Sequence, residues 1–202
     1  MVTSRILLGE NVASIIARYQ LIGGELRVDT IAGGVGSYEL ALDGGLLRSN
    51  MIRIDVLNKG SIINPGVSVG RLVVTGNYEQ QSGSTLTIEI NNSTSYDSLG
   101  VSGSIKLAGV LRVENKGGYT FEELDEFDIL DWGETVDVEG QFDSVILPSL
   151  SSYTLSSIKT SSVEMHVCPA LLNPPNNADS TALLIFASWR MIIGSFPPSS
   201  NI

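Results

Sequence analysis

Residues Ile62 to Glu89 read IINPGVSVGRLVVTGNYEQQSGSTLTIE, and the grammar of this stretch decides the fold class. Leu72-Val73-Val74-Thr75 is a short strand, and Gly76-Asn77 turns it. Leu86, Ile88 and Ile90 share one face, with Thr85, Thr87 and Glu89 on the other. Period-two alternation of this kind marks strands with one buried side. Asn64-Pro65-Gly66 and Gly76-Asn77 supply residues suited to tight turns.

The same grammar extends in both directions. Upstream, Leu26 and Val28 alternate with Glu25, Arg27 and Asp29, and Ile52, Ile54 and Val56 share a face. Gly23-Gly24, Gly33-Gly34, Asp43-Gly44-Gly45 and Asn58-Lys59-Gly60 punctuate them. Downstream, Leu99-Gly100-Val101, Ile105-Lys106-Leu107 and Val110 to Val113 are separated by Gly103 and Gly109. A G-x-L start recurs at Gly24, Gly45 and Gly70 with irregular spacing, a degenerate repeat. Many short strands with glycine turns predict an all-β fold. Recurring units with similar inward residues favour a parallel β-helix, or solenoid, in which each rung covers its neighbour; a β-sandwich is the alternative. The reading divides the chain into a lead-in or cap at 1–20, a solenoid at 21–167 and a tail at 168–202.

Composition narrows the function classes. Hydrophobic residues are 43% of the 202, enough for a core. The formal charge of −10 argues against nucleic acid as partner, which requires clustered Lys and Arg, and against an anionic membrane surface. With Cys168 as the single cysteine, neither an intrachain disulfide nor a cysteine-based zinc site is available. The N-terminus, MVTSRILLGENVASIIARYQ, reads poorly as a signal peptide, because Glu10 and Asn11 break its apolar run. Ala182 to Gly194 is apolar but spans only 13 residues, short of the ~20 a spanning helix needs, so no membrane-spanning segment is expected.

The chemistry-bearing residues do not assemble into a catalytic pattern. His166 and Cys168 sit two residues apart on one predicted strand, which separates their side chains by about 7 Å, too far for a nucleophile–base hydrogen bond. Nine carboxylates crowd Glu122 to Glu139 without a calcium-loop or calcium-repeat spacing, and a solvated acidic face explains them better than a metal or a glycosidase pair. Gly33-Gly34-Val35-Gly36 lacks the Lys-Ser/Thr of a phosphate loop. Tyr78, Tyr96, Tyr119 and Trp132 are candidates for a sugar-binding groove, with packing at turns as the plainer reading. The expectation is therefore a non-enzyme with no cofactor, no metal and no catalytic residue.

The runs NPGVSVGRLVVTGNYEQQSGSTLTIEI, YDSLGVSGSIKLAGVLRVE, GYTFEELDEFDIL and GQFDSVILPSL resemble the C-terminal part of bacterial autotransporter-like surface proteins carrying autotransporter-associated β-strand repeats. Asn64-Pro65-Gly66, Gly76-Asn77-Tyr78, Asp97, Gly103, Gly109 and Leu147-Pro148 carry the match, which covers about Leu21 to Val167. The resemblance implies a right-handed parallel β-helix on an extracellular or cell-surface protein, acting as a stalk, adhesin or matrix component. It brings no catalytic residues. The chain departs from the pattern in having no membrane β-barrel domain and in its tail, which fits a fragment, a protein exported by another route or a fibre subunit. The expected partners are the chain itself, by end-to-end stacking, or surface glycans; a carbohydrate-binding or carbohydrate-active β-helix is the alternative function.

Overall fold

The computed structural model describes residues 5–9, 16–121, 125–133 and 136–148, together with the backbone of 153–159 and 162–169. All regular structure among them is β, and parallel strands stack as a solenoid of about five turns, consistent with a right-handed β-helix. The sandwich alternative is set aside by the pairing: neighbours along the stack run parallel, one circuit of the chain apart.

Each circuit has three sides. The first side is built from β1 (Arg5–Leu8), the end of β2 (Ile16–Gly33), the end of β3 (Ser37–Arg53), β6 (Arg71–Val74), β10 (Ser98–Val101) and β13 (Glu126–Trp132). The second holds the starts of β2 and β3, then β4 (Val56–Asn58), β7 (Tyr78–Gln80), β11 (Ile105–Leu107) and β14 (Val138–Gly140). The third holds the middles of β2 and β3, then β5 (Ile62–Pro65), β8 (Thr85–Asn92), β12 (Val110–Asn115) and β15 (Ser144–Ile146). The short β9 (Ser95–Tyr96) folds back antiparallel on β8.

Inward residues align into columns because register is kept from rung to rung. Leu26, Leu47, Ile63, Leu86, Leu111 and Val145 form one column; Ile6, Ile31, Ile52, Val74, Val101 and Trp132 form another. Leu47, Ile63, Leu86, Ile31, Ile52 and Val74 are wholly buried, each contributing about 1.5–3 kcal/mol of burial. Successive members of the first of these columns are 21, 16, 23, 25 and 34 residues apart, which is why the repeat reads as degenerate. The turn at Asn64-Pro65-Gly66 carries the chain off the third side: Gly66 sits at φ 77°, where an L side chain is strained, and its N–H donates to Ser49 O at 2.8 Å.

Polar groups turned inward at corners are satisfied locally. Asn58 Nδ2 donates to Ser61 O (3.0 Å) and its Oδ1 accepts from Ser61 N (2.9 Å), while Gln80 Nε2 donates to Ala108 O (2.9 Å). Among the described residues no buried side-chain nitrogen or oxygen lacks a partner, as stability of an apolar interior demands.

Two boundaries differ from the sequence expectation. The stack starts before residue 21: β1 and Ile16–Gln20 of β2 are rungs, paired in parallel register with the next circuit. They were illegible because an end rung is covered from one side only, and its burial pattern is correspondingly weak. At the other end, among the described residues, β15 is the last strand of the parallel stack. Beyond it β16 (Tyr153–Lys159) and β17 (Ser162–Pro169) form an antiparallel pair, and β17 lies antiparallel along β13. Residues 170–202, most of the expected tail with its apolar run at 182–194, lie outside the described residues.

Candidate functional site

The corner between the first and second sides carries a side-chain ladder running along the stack. Asp55 Oδ1 accepts from Asn77 N at 2.8 Å, and Asn77 Oδ1 accepts from both Ser104 N and Ser104 Oγ at 2.9 Å. Each side chain thus caps a backbone N–H of the following rung. The rungs can approach this closely because glycines precede the ladder residues. A Cβ on Gly76 would lie 2.6 Å from Asp55 Oδ1, and one on Gly103 would lie 2.6 Å from Asn77 Oδ1. Replacing Asn77 by alanine removes two acceptor contacts and is expected to lower stability by about 1 kcal/mol, while Asn77→Asp keeps both; urea denaturation of the pair checks this.

The ladder forms the floor of an open groove of about 630 Å³ over the second side. Glu79, Lys106 and Glu139 stack in one outward row across three rungs, and Tyr38, Glu39, Arg53, Thr75 and Asp137 add to the polar lining. Tyr38 is 41% exposed and is the aromatic ring available there.

A second polar cluster lies on the third side. Glu89, 4% exposed, accepts from Arg48 Nη2 and from Lys116 Nζ, both at 3.1 Å. Arg48 also contacts Asn64 Oδ1 and reaches Glu25 at 3.4 Å. Burial raises the Glu89 carboxyl, but its hydrogen bonds and charge attraction to Arg48 and Lys116 outweigh burial and hold it below the usual carboxylate range. Next to it, fully buried Asp97 joins two circuits: Oδ1 accepts from Gly70 N (2.8 Å) and Oδ2 from Glu89 N (2.9 Å). Burial pushes the Asp97 carboxyl up to about 7, against the pull of those two N–H groups.

The residues singled out from sequence disperse. Tyr78 is inside the solenoid, its hydroxyl donating to Gln80 Oε1 at 2.7 Å, and burial raises its phenol. Tyr96 packs edge-on against Phe127 at 5.2 Å and Tyr119 against Phe121 at 5.3 Å; Trp132 is half-buried against the core. Tyr96, Tyr119 and Trp132 therefore serve packing, and Tyr78, although among the residues that line the groove, is only 1% exposed. Gly34 and Gly36 donate to Leu8 O and Gly9 O, stitching a corner of the first circuits. In the acidic run, Asp131 pairs bidentately with Arg71 (2.6 and 2.8 Å) across two rungs, Asp125 accepts from the Tyr119 hydroxyl, and Asp137 and Glu139 line the groove. Glu122, Glu123 and Glu134 lie outside the described residues. Among the described residues no group of three or more His, Cys, Asp or Glu is placed to hold a metal ion. His166 and Cys168 share β17, opposite Ser156 and Thr154 of β16; their side chains lie outside the described residues.

Sequence reasoning missed the groove and its Tyr38, and the joining role of Asp97. The Gly76-Asn77-Tyr78 motif was the available signal for the ladder, but its partners lie 22 and 27 residues away.

No protein-family model and no curated protein matches the chain. Among the described residues no helix is long and apolar enough to cross a membrane.

Proposed function

We propose that this chain is a non-enzymatic structural or adhesive β-solenoid working outside the cell or at its surface, with surface glycans or the chain itself as partner. The observation that carries the reading is the stack: columns six residues deep, hydrogen-bonded in register and pinned at their corners by side chains. Such an object is stiff along its axis and offers long exposed faces, which suits a spacer or an adhesin. The resemblance to autotransporter-associated repeats supports the extracellular setting. Two measurements test it. Protease accessibility of the protein on intact producing cells should match that of a known surface marker. Immobilised protein should retain cells or matrix polymer above an albumin control. Protein found only in the cytosolic fraction and inert in the retention assay overturns the reading.

A second reading is favoured by one feature, the open groove whose lining includes Tyr38, Glu39, Asp55, Glu79 and Lys106. Carbohydrate sites combine an aromatic platform with convergent polar groups. Binding on a glycan array that Tyr38→Ala abolishes would establish it, and hydrolysis of the bound polysaccharide would move the protein to the enzymes. An array without signal removes this reading and leaves the structural one standing.

A further inference from the structure

The hairpin that leads from the third side to the first stands clear of the stack. β8 outruns its neighbour, for the next circuit follows it only as far as Ile90, opposite Asn115. Asn91 and Asn92 continue the strand, Ser93 and Thr94 turn it, and Ser95 of β9 returns opposite Asn92. Asn92, Ser93 and Thr94 are all exposed. They take no part in the corner ladder, the groove or the buried cluster around Glu89.

The residues at this tip carry chemistry of their own. Asn91-Asn92-Ser93-Thr94 holds two overlapping Asn-x-Ser/Thr triplets without proline, the pattern in which an asparagine amide accepts a sugar at a surface turn. The fold separates the two. Asn91 is half-buried, and a Cβ on Gly117 would lie 2.8 Å from its carbonyl oxygen, so the following circuit runs against its backbone. Asn92 stands at the tip. Its Oδ1 accepts from Thr94 N at 2.9 Å and from Thr94 Oγ1 at 3.0 Å, while its Nδ2 makes no hydrogen bond among the described residues. An amide nitrogen is a poor nucleophile, because its lone pair is delocalised into the carbonyl. Two donors on the oxygen favour the negative charge that gathers there as Nδ2 gives up a proton. Thr94 therefore holds the oxygen and leaves the nitrogen open to solvent.

We propose that Asn92 is an N-glycosylation acceptor, taking its sugar from a phosphate-activated donor through a separate transferase. Nδ2 attacks C1 of the sugar and forms the N–C bond. The C1–O bond to phosphate breaks, the phosphate leaves with the electron pair, and one Nδ2 proton passes to a base of the transferase. A nucleotide sugar and a lipid-linked sugar pyrophosphate share this chemistry. The inference goes beyond the structural and adhesive reading. Its readout is a mass, so either can fail while the other stands.

Whole protein purified from the cells that make it tests the proposal, by intact mass and by electron-transfer fragmentation of the tryptic peptide Leu72–Lys106. The expected result is a mass above 21.5 kDa by whole sugar residues, with the sugar on Asn92. The overlap of the triplets supplies matched controls. Ser93→Ala destroys only the Asn91 triplet and should leave the sugar in place. Thr94→Ala destroys only the Asn92 triplet and should abolish it, as Asn92→Gln should, whereas Thr94→Ser keeps the hydroxyl and should keep the sugar. All three positions are exposed, so unchanged melting of the variants separates a lost acceptor from a lost fold. Unmodified chain incubated with the cells' soluble fraction and labelled nucleotide sugars, or with their washed membranes, tells the two donors apart by which mixture labels Asn92. A mass of 21.5 kDa, sugar on Asn91 or on hydroxyls alone, or a loss caused by Ser93→Ala and not by Thr94→Ala each overturns the proposal.

Discussion

Phe127→Ala is expected to lower unfolding free energy by about 3–5 kcal/mol, the usual cost of deleting a buried aromatic ring. Phe127 is fully buried in β13 and is the hub of an aromatic cluster, with Tyr96 edge-on at 5.2 Å and Phe121 at 5.8 Å. Both contacts and the burial vanish together in the alanine variant. The strand it leaves is the one on which the closing circuits depend, since β13 pairs with β10 on one edge and β17 on the other. For a chain of this length the loss corresponds to a melting temperature lower by roughly 10 °C. Phe127→Leu restores most of the volume but neither ring contact and should recover more than half of the loss. Urea and thermal unfolding of the three proteins decides the matter. A loss below about 1 kcal/mol in the alanine variant would mean that the cluster does not hold this end of the stack.

The second large effect is a dependence of stability on pH centred on Asp97. Its folded carboxyl is raised by burial to about 7, whereas the unfolded chain titrates near the ordinary aspartate value of 3.8. A raised acid is protonated in the folded state over a range where the unfolded state has already lost its proton. The unfolded state therefore binds fewer protons there, and stability falls as pH rises from about 4 to about 7. The full span is on the order of 4 kcal/mol. Glu89 acts in the opposite sense: its depressed carboxyl adds stability above its unfolded value of 4.5, and that is lost as pH falls through the lower folded value. The expected profile peaks near pH 5 and declines toward pH 8. Asp97→Asn should flatten the decline. Chemical denaturation at pH 5, 6, 7 and 8 reads this out. A parent whose stability is level or rising across that range would show that the two N–H donors, not burial, dominate the site.

Much of the fold was legible because strands write a period of two. Leu26 with Val28, Ile52 with Ile54 and Val56, and Leu86 with Ile88 and Ile90 each announced an inward face, and all of them except the half-buried Leu26 are buried in the core. The solenoid itself could be favoured over a sandwich, because repeated G-x-L starts imply repeated local environments. Which strand lies on which could not be read, since circuits range from 16 to 34 residues and no fixed period ties Leu47 to Ile63 or Leu111 to Val145. The first circuit was hidden by its half coverage, and the antiparallel arrangement of β17 by a sequence pattern that is the same for either direction of pairing. Side-chain roles were the least legible. Tyr78 could be read as a groove ring or as packing at a turn, because nothing local says that its hydroxyl finds Gln80 two residues on, inside the stack. Asp97 stood out only as part of a resemblance, and its work depends on two backbone groups 8 and 27 residues distant.

The unequal circuits also set how the molecule yields under tension. Its parallel contacts join neighbouring circuits, so a pull on the C-terminal end concentrates load on the last rung and peels the stack in sequence. Each detached circuit releases its own length of chain. Along the column from Val145 back to Leu26 those lengths are 34, 25, 23, 16 and 21 residues. At full extension they amount to packets on the order of 50–110 Å. Once β17 has come off β13, the longest of these circuits is surrendered first, while the tightly wound early circuits stay folded.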